Sequence, residues 1–112
     1  MIIENIKNNE ILASDARIAA SFMDRLKGLL GTKKLDQGQG LIIRPCNSIH
    51  TIGMKYSIDI IFLDKQNKVV KIVMDMHSGR VSICNSASYV VELPSGVASS
   101  TNTTVGDLIS IL

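Results

Sequence analysis

The run SIDIIFLD, Ser57 to Asp64, constrains the fold more than any other stretch of this chain. Extended, it places Ile58, Ile60 and Phe62 on one face and Asp59, Ile61 and Leu63 on the other. Both faces are apolar, so Asp59 sits where a bare carboxylate is expensive. It must be paired, protonated or hydrogen-bonded to backbone. A buried Asp59, satisfied by backbone N–H groups or an arginine, is expected. The polar turn KQNK follows, and VVKIVMD returns as the second arm of a hairpin.

Other strands read the same way. IIENI and EILAS flank the polar turn Lys7-Asn8-Asn9, and ARIAA either prolongs the second strand or leads to a helix. GLIIRP is a strand ended by Pro45. SYVVEL is another, stopped by PSG, and the tail TTVGDLISIL ends in strand-like alternation. One helix is clear. Phe22, Met23, Leu26, Leu29 and Leu30 recur at three- and four-residue intervals and form one apolar face. Ser21 suits its N-cap, Asp24 the capping-box position and Gly31 the C-cap. Gly28 then lies inside the helix at a cost of about 1 kcal/mol relative to Ala, which implies that another backbone passes close by.

The 112 residues suit one domain, 1–112, with a single core. Trp is absent and aromatics make up 4% of the chain, so that core must be aliphatic, and its Ile and Val favour strands. Seven or eight short strands joined by short turns, with one main helix, predict a β-rich α+β domain. Its sheet should be small, bent or barrel-like, mostly antiparallel, and packed on the helix.

Several function classes fall away. A net charge of +2 leaves no nucleic-acid footprint, and stacking aromatics are missing. MIIENIKNNE lacks a basic start, and no apolar run is long enough for a membrane span, so a cytoplasmic monomer without membrane contact is expected. In that reducing compartment Cys46 and Cys84 should be free thiols. There is no phosphate-cradling glycine loop, no serine-centred elbow and no zinc-finger spacing, so neither a cofactor nor a metal site is expected.

The segment CNSIH raises the functional question. As a strand it lines up Cys46, Ser48 and His50 on one face, a polar and reactive row, with Gly53 at a bend and Met54 after it. Glu92 in YVVELP repeats the puzzle of Asp59, a carboxylate among aliphatic residues. If the two converge they form a cation site or an acid–base pair.

These blocks together resemble a known family. RLKGLLG, then GLIIRPCNSIHTIGMKYSIDIIFLDKQNKVVKI, then VVELPSG and VGDLI occur in the order found in domain-of-unknown-function family 192. The resemblance runs from about Ala13 to the end and is nearest the branch with Cys-x-x-x-His before the Gly-Met pair. It implies a compact β-rich domain with helical decoration, and it singles out Arg25, Met54, Asp59 and Glu92 as matching the family pattern. Arg25 and Gly28 then read as structural. Gly53 stands where many members have Trp, and Ser57 where proline is common. Many members also carry an export or lipoprotein signal that this N-terminus lacks. The family name supplies no reaction.

Three functional readings follow. In the first, a non-enzymatic domain binds a small molecule or peptide in a pocket lined by Cys46, Ser48, His50, Met54, Asp59 and Glu92. In the second, Cys46 is a nucleophile and His50 lowers its pKa, which makes both candidate catalytic residues. In the third, an accessory protein adds an exposed strand to a partner.

Overall fold

The computed structural model describes residues 1–19, 21–29 and 31–112, apart from the side chains of Phe22, Met23 and Leu26. Over those residues the chain runs β1 (Ile3–Asn5), β2 (Glu10–Ala13), β3 (Asp15–Ala19), α1 (Phe22–Lys27), β4 (Gln39–Ile43) and β5 (Ser48–His50). It continues through β6 (Ile58–Leu63), β7 (Val69–Met76), β8 (Val81–Ile83), β9 (Tyr89–Pro94), α2 (Val97–Ser100) and β10 (Ile109–Ile111). No helix among the described residues is long and apolar enough to cross a membrane.

All six residues of β6 are buried, as an apolar pattern on both faces requires. β6 pairs antiparallel with β7 on one side and with β9 on the other, inside a five-stranded sheet of order β3-β4-β9-β6-β7. The KQNK turn is built by Asp64, whose Oδ1 accepts from the Gln66 and Lys68 N–H groups at 2.9 and 3.0 Å. Asn67 takes the left-handed position at φ 64°. The sheet is antiparallel except for β3 and β4, which run parallel. ARIAA is therefore a strand of its own rather than an extension of β2, and it leads into α1. It crosses into the other sheet and pairs with GLIIRP.

A separate aliphatic core covers each face of this sheet. On one face Ile61, Leu63, Val91 and Leu93 pack with Ile3, Leu12 and Ile109 of the sheet β10-β1-β2 and with Val97 of α2. On the other, Ile58, Ile60, Phe62 and Val90 pack with Ile49 of the β5–β8 pair, with Leu29 and with Met54. Among the described residues the sheets stay open, so the barrel-like alternative does not form. The domain is α+β, β-rich and mostly antiparallel.

Three local differences have physical causes. The helix is shorter than its periodicity suggests. Gly28, not Gly31, is its C-cap, at φ 52°, a conformation that non-glycine residues adopt at a cost. Leu29 is buried just beyond it. The expected burial of Phe22, Leu26 and Leu30 falls outside the described residues. Two elements carry too little pattern to be read from sequence. β8 is three residues, VSI, and α2 is a single turn opened by Gly96 at φ 96°.

Asp59 is wholly buried and satisfied by backbone alone. Its Oδ1 accepts from the Asp75 N–H at 2.9 Å, and its Oδ2 from the Gly96 and Ala98 N–H groups at 3.1 and 2.9 Å. Gly96 has no side chain to cap α2, so the carboxylate of a neighbouring strand does so. Asp59→Ala strands three donors in the interior and should destabilise the fold by about 3 kcal/mol. Urea unfolding of the variant measures it; a midpoint equal to the parent's contradicts this account.

Candidate functional site

β4 leaves the central sheet at Ile43, and the next residues cross over the second core toward β5. The Cys46 N–H donates to the Ser88 carbonyl at 3.1 Å and fixes that crossing. In β5, Ile49 turns inward and is buried, while Ser48 and His50 are exposed. Thr51 ends the strand. Its hydroxyl donates to the His77 carbonyl at 2.6 Å and accepts from the Arg80 N–H at 3.0 Å, which ties β5 to the loop before β8. Gly53, at φ 86°, closes the turn in which the Met54 N–H donates to the Thr51 carbonyl at 3.0 Å. Met54 is thereby folded back into the core.

Between α1, β4, β5 and β9 lies a cavity of about 200 Å³. Cys46, Ser48, His50 and Met54 line it, and so do Gly28, Arg25 and Glu92. Lys27, Leu29, Ile43, Ile49 and Ile52 complete the wall. Five of the six residues expected to share a pocket meet here. Asp59 does not. β6 and β9 pair Asp59 with Leu93 and Ile60 with Glu92, so Glu92 follows the Ile60 face and Asp59 the opposite one. The two carboxylates cannot converge, and the cation site or acid–base pair they would have formed is excluded by the register. Lys27, Leu29 and Ile43 were not foreseen as wall residues, because nothing in sequence shows which helix end and which strand face meet.

Glu92 is the unusual group. It is 3% exposed, and among the described residues nothing hydrogen-bonds its Oε1. Burial pushes its pKa up to about 7, against a smaller opposing effect of the Arg17 guanidinium. Gly28 makes room for it. A Cβ at Gly28 would lie 3.3 Å from Oε1 and 3.7 Å from Ile43 Cδ1. The close neighbour implied by a glycine here is thus a carboxyl group, not a passing backbone.

The Cys46 thiol is held by a backbone carbonyl. Its Sγ donates to the Ser48 carbonyl at 3.0 Å, and among the described residues no hydrogen bond joins it to His50. Burial pushes its pKa up. The Ser48 bond and the Arg25 charge act downward, and the Glu92 charge acts upward. His50 is not among the groups that act on this pKa; its imidazole is exposed, and among the described residues it makes no hydrogen bond to the thiol. Cys84 is also free, its Sγ 3.4 Å from the Ser86 hydroxyl. Among the described residues no three His, Cys, Asp or Glu side chains are grouped to hold a metal ion.

A larger and more open cavity, about 830 Å³, borders the other side of Cys46 beside Arg44, Lys65 and Tyr89. The Arg44 guanidinium stacks 4.2 Å above the Tyr89 ring, and the Tyr89 hydroxyl donates to Asn67. Among its described polar side chains none is buried without a partner. The orphaned carboxyl marks the smaller cavity as the better candidate.

Comparison with known proteins supports the fold. A model of the DUF192 family, described as Uncharacterized ACR, matches residues 3–111. A UPF0127 protein of Thermococcus sibiricus is 31% identical over 111 residues, covering 96% of this chain and 71% of the relative. A protein of unknown function from Novosphingobium aromaticivorans superposes with a TM-score of 0.85 at 17% identity, over 98% of this chain and 82% of that one. A Sinorhizobium meliloti protein described as a candidate transcription regulator superposes at 0.83 and 15% identity, over 97% and 89% of the two chains. At such identities the two structures share the fold alone.

Two outcomes test the site. In the unfolded chain Glu92 loses its proton near the ordinary 4.5, but in the fold it keeps it up to about 7. Folding therefore takes up a proton between those values, and this contribution to stability is lost as pH rises through the window. The loss is on the order of 3 kcal/mol. Glu92→Gln should flatten that slope when both proteins are unfolded in urea at intervals from pH 4.5 to 8; parallel curves would remove the buried-acid account. Gly28→Ala should cost about 1–2 kcal/mol from its left-handed φ alone, read as a lowered denaturation midpoint, and an unchanged midpoint would contradict the cap.

Proposed function

The chain belongs to the DUF192 family, and from its own geometry we propose that it is a non-catalytic binding domain whose ligand, a small molecule, enters the cavity bounded by Cys46, His50, Met54 and Glu92. The observation that carries this reading is the Glu92 carboxyl, buried at the cavity wall with an oxygen that no described group satisfies. Native interiors rarely leave such a group unpaired, and one that faces a cavity is open to a ligand's donor. The cavity is smaller than the roughly 300–1,000 Å³ typical of drug-sized ligands, which favours a small molecule over a peptide segment.

The other readings draw less support. A cysteine nucleophile needs a thiolate, and burial acts against one at Cys46. Strand addition needs a long regular edge. The outer strand β7 is interrupted at Asp75, φ 50°, beside a shift in its register with β6. Two half-buried free thiols suit a reducing cytoplasm.

Isotope-labelled protein titrated with a library of small polar and amphipathic fragments tests the binding reading. Shift changes should cluster on the methyl groups of Ile49 and Met54, and Ser48→Trp, which fills the cavity from its exposed side, should abolish them. A library that perturbs only distant residues counts against the cavity. Alkylation separates the catalytic alternative: Cys46 should react with a midpoint above the ordinary thiol value, and His50→Ala should leave it unmoved. A midpoint below that value, raised by His50→Ala, would restore the nucleophile.

A further inference from the structure

This inference rests on the binding reading and concerns what the cavity holds. Its wall has three chemically distinct parts. Glu92 presents a buried carboxyl in want of a donor, and the strongest donor for a carboxylate is a cationic N–H. Arg25 and Lys27 present positive charge to the same space. Arg25 and Glu92 act with opposite sign on the thiol of Cys46, so acid and base flank one small volume. The remainder is aliphatic: Leu29, Ile43, Ile49 and Met54. At about 200 Å³ the space suits a molecule with a handful of carbon atoms.

An ammonium, a carboxylate and a short alkyl chain on one small molecule satisfy all three parts. We propose that the cavity binds a free apolar α-amino acid of about leucine size, with its ammonium on Glu92, its carboxylate toward Arg25 and Lys27, and its alkyl chain against Leu29 and Met54. No bond is made or broken. A protonated Glu92 can donate one hydrogen bond but cannot pair with an ammonium, so binding takes the ionised form and is linked to pH.

Calorimetric titration of L-leucine into the intact protein at pH 6 and pH 8 tests this. Glu92 titrates near 7 in the fold, so affinity should rise about tenfold between the two. The charged and titratable groups around Glu92 are Arg17 of β3, Arg25 and Lys27 of α1, Cys46 beyond β4 and His50 of β5. His50→Gln is measured alongside as a control and should keep the rise. Glu92→Gln should weaken leucine at least about tenfold and remove the pH dependence, since that factor is the charge-assisted bond.

Two analogues divide the contacts at pH 7. The 2-hydroxy acid of leucine lacks the ammonium, and leucinamide lacks the carboxylate and stands for a peptide N-terminus. Each should bind at least about tenfold more weakly than leucine. A hydroxy acid that binds as well, or better at pH 6, would mean that a protonated Glu92 recognises an acid, and it overturns the proposal. Leucinamide binding as tightly as leucine overturns it too. So does absence of leucine binding at millimolar concentration. If other fragments then still shift Ile49 and Met54, the cavity reading survives and only the amino-acid assignment falls; if none do, both fall.

Discussion

Three backbone N–H groups, one from β7 and two from the start of α2, converge on one buried carboxylate, that of Asp59. β6 is buried along its whole length between β9 and β7, and Asp59 makes it the anchor for what lies beside it. Through Asp75 it fixes where β7 bends away. Through Gly96 and Ala98 it fixes where β9 ends and α2 turns back over the first core. An apolar residue at this position would leave β7 and the start of α2 with unpaired donors.

The same strands, one residue along, produce the opposite electrostatic outcome. Asp59 and Glu92 are both acids in the interior of one sheet, yet their fates differ through parity alone. Asp59 meets the backbone of β7 and α2, which donates to it. Glu92, across the sheet, lies beside Gly28 and lines the cavity with Ile43. One carboxylate is spent on structure, and the other has an oxygen that no described group satisfies. That contrast separates the scaffold from the site.

Period-two patterning made the central hairpin and the burial of Asp59 legible, because a strand apolar on both faces permits few alternatives. The row Cys46, Ser48, His50 could be read in the same way. What could not be read was register. Whether Asp59 and Glu92 share a face depends on which residue of β9 stands opposite Ile60, and nothing local encodes that. The helix end was misjudged at Gly28 because a glycine inside an apolar periodicity and a glycine that ends it look alike until φ is known. The bonding of Cys46 was not legible, because alternation shows which side chains share a face, and not what each one bonds.

The pairing map also bears on how the chain is made. Ile3 lies opposite Ile111, and Ile42 opposite Val91. As the polypeptide leaves the ribosome, β1 pairs with β2 and β4 with β3, but each waits for its second partner, and the first core is incomplete until β10 emerges. The β1–β2 and β6–β7 hairpins are local and can form early. Non-local pairing of this kind makes folding slow and largely post-translational, and it leaves the exposed early strands in need of protection from premature association while synthesis continues.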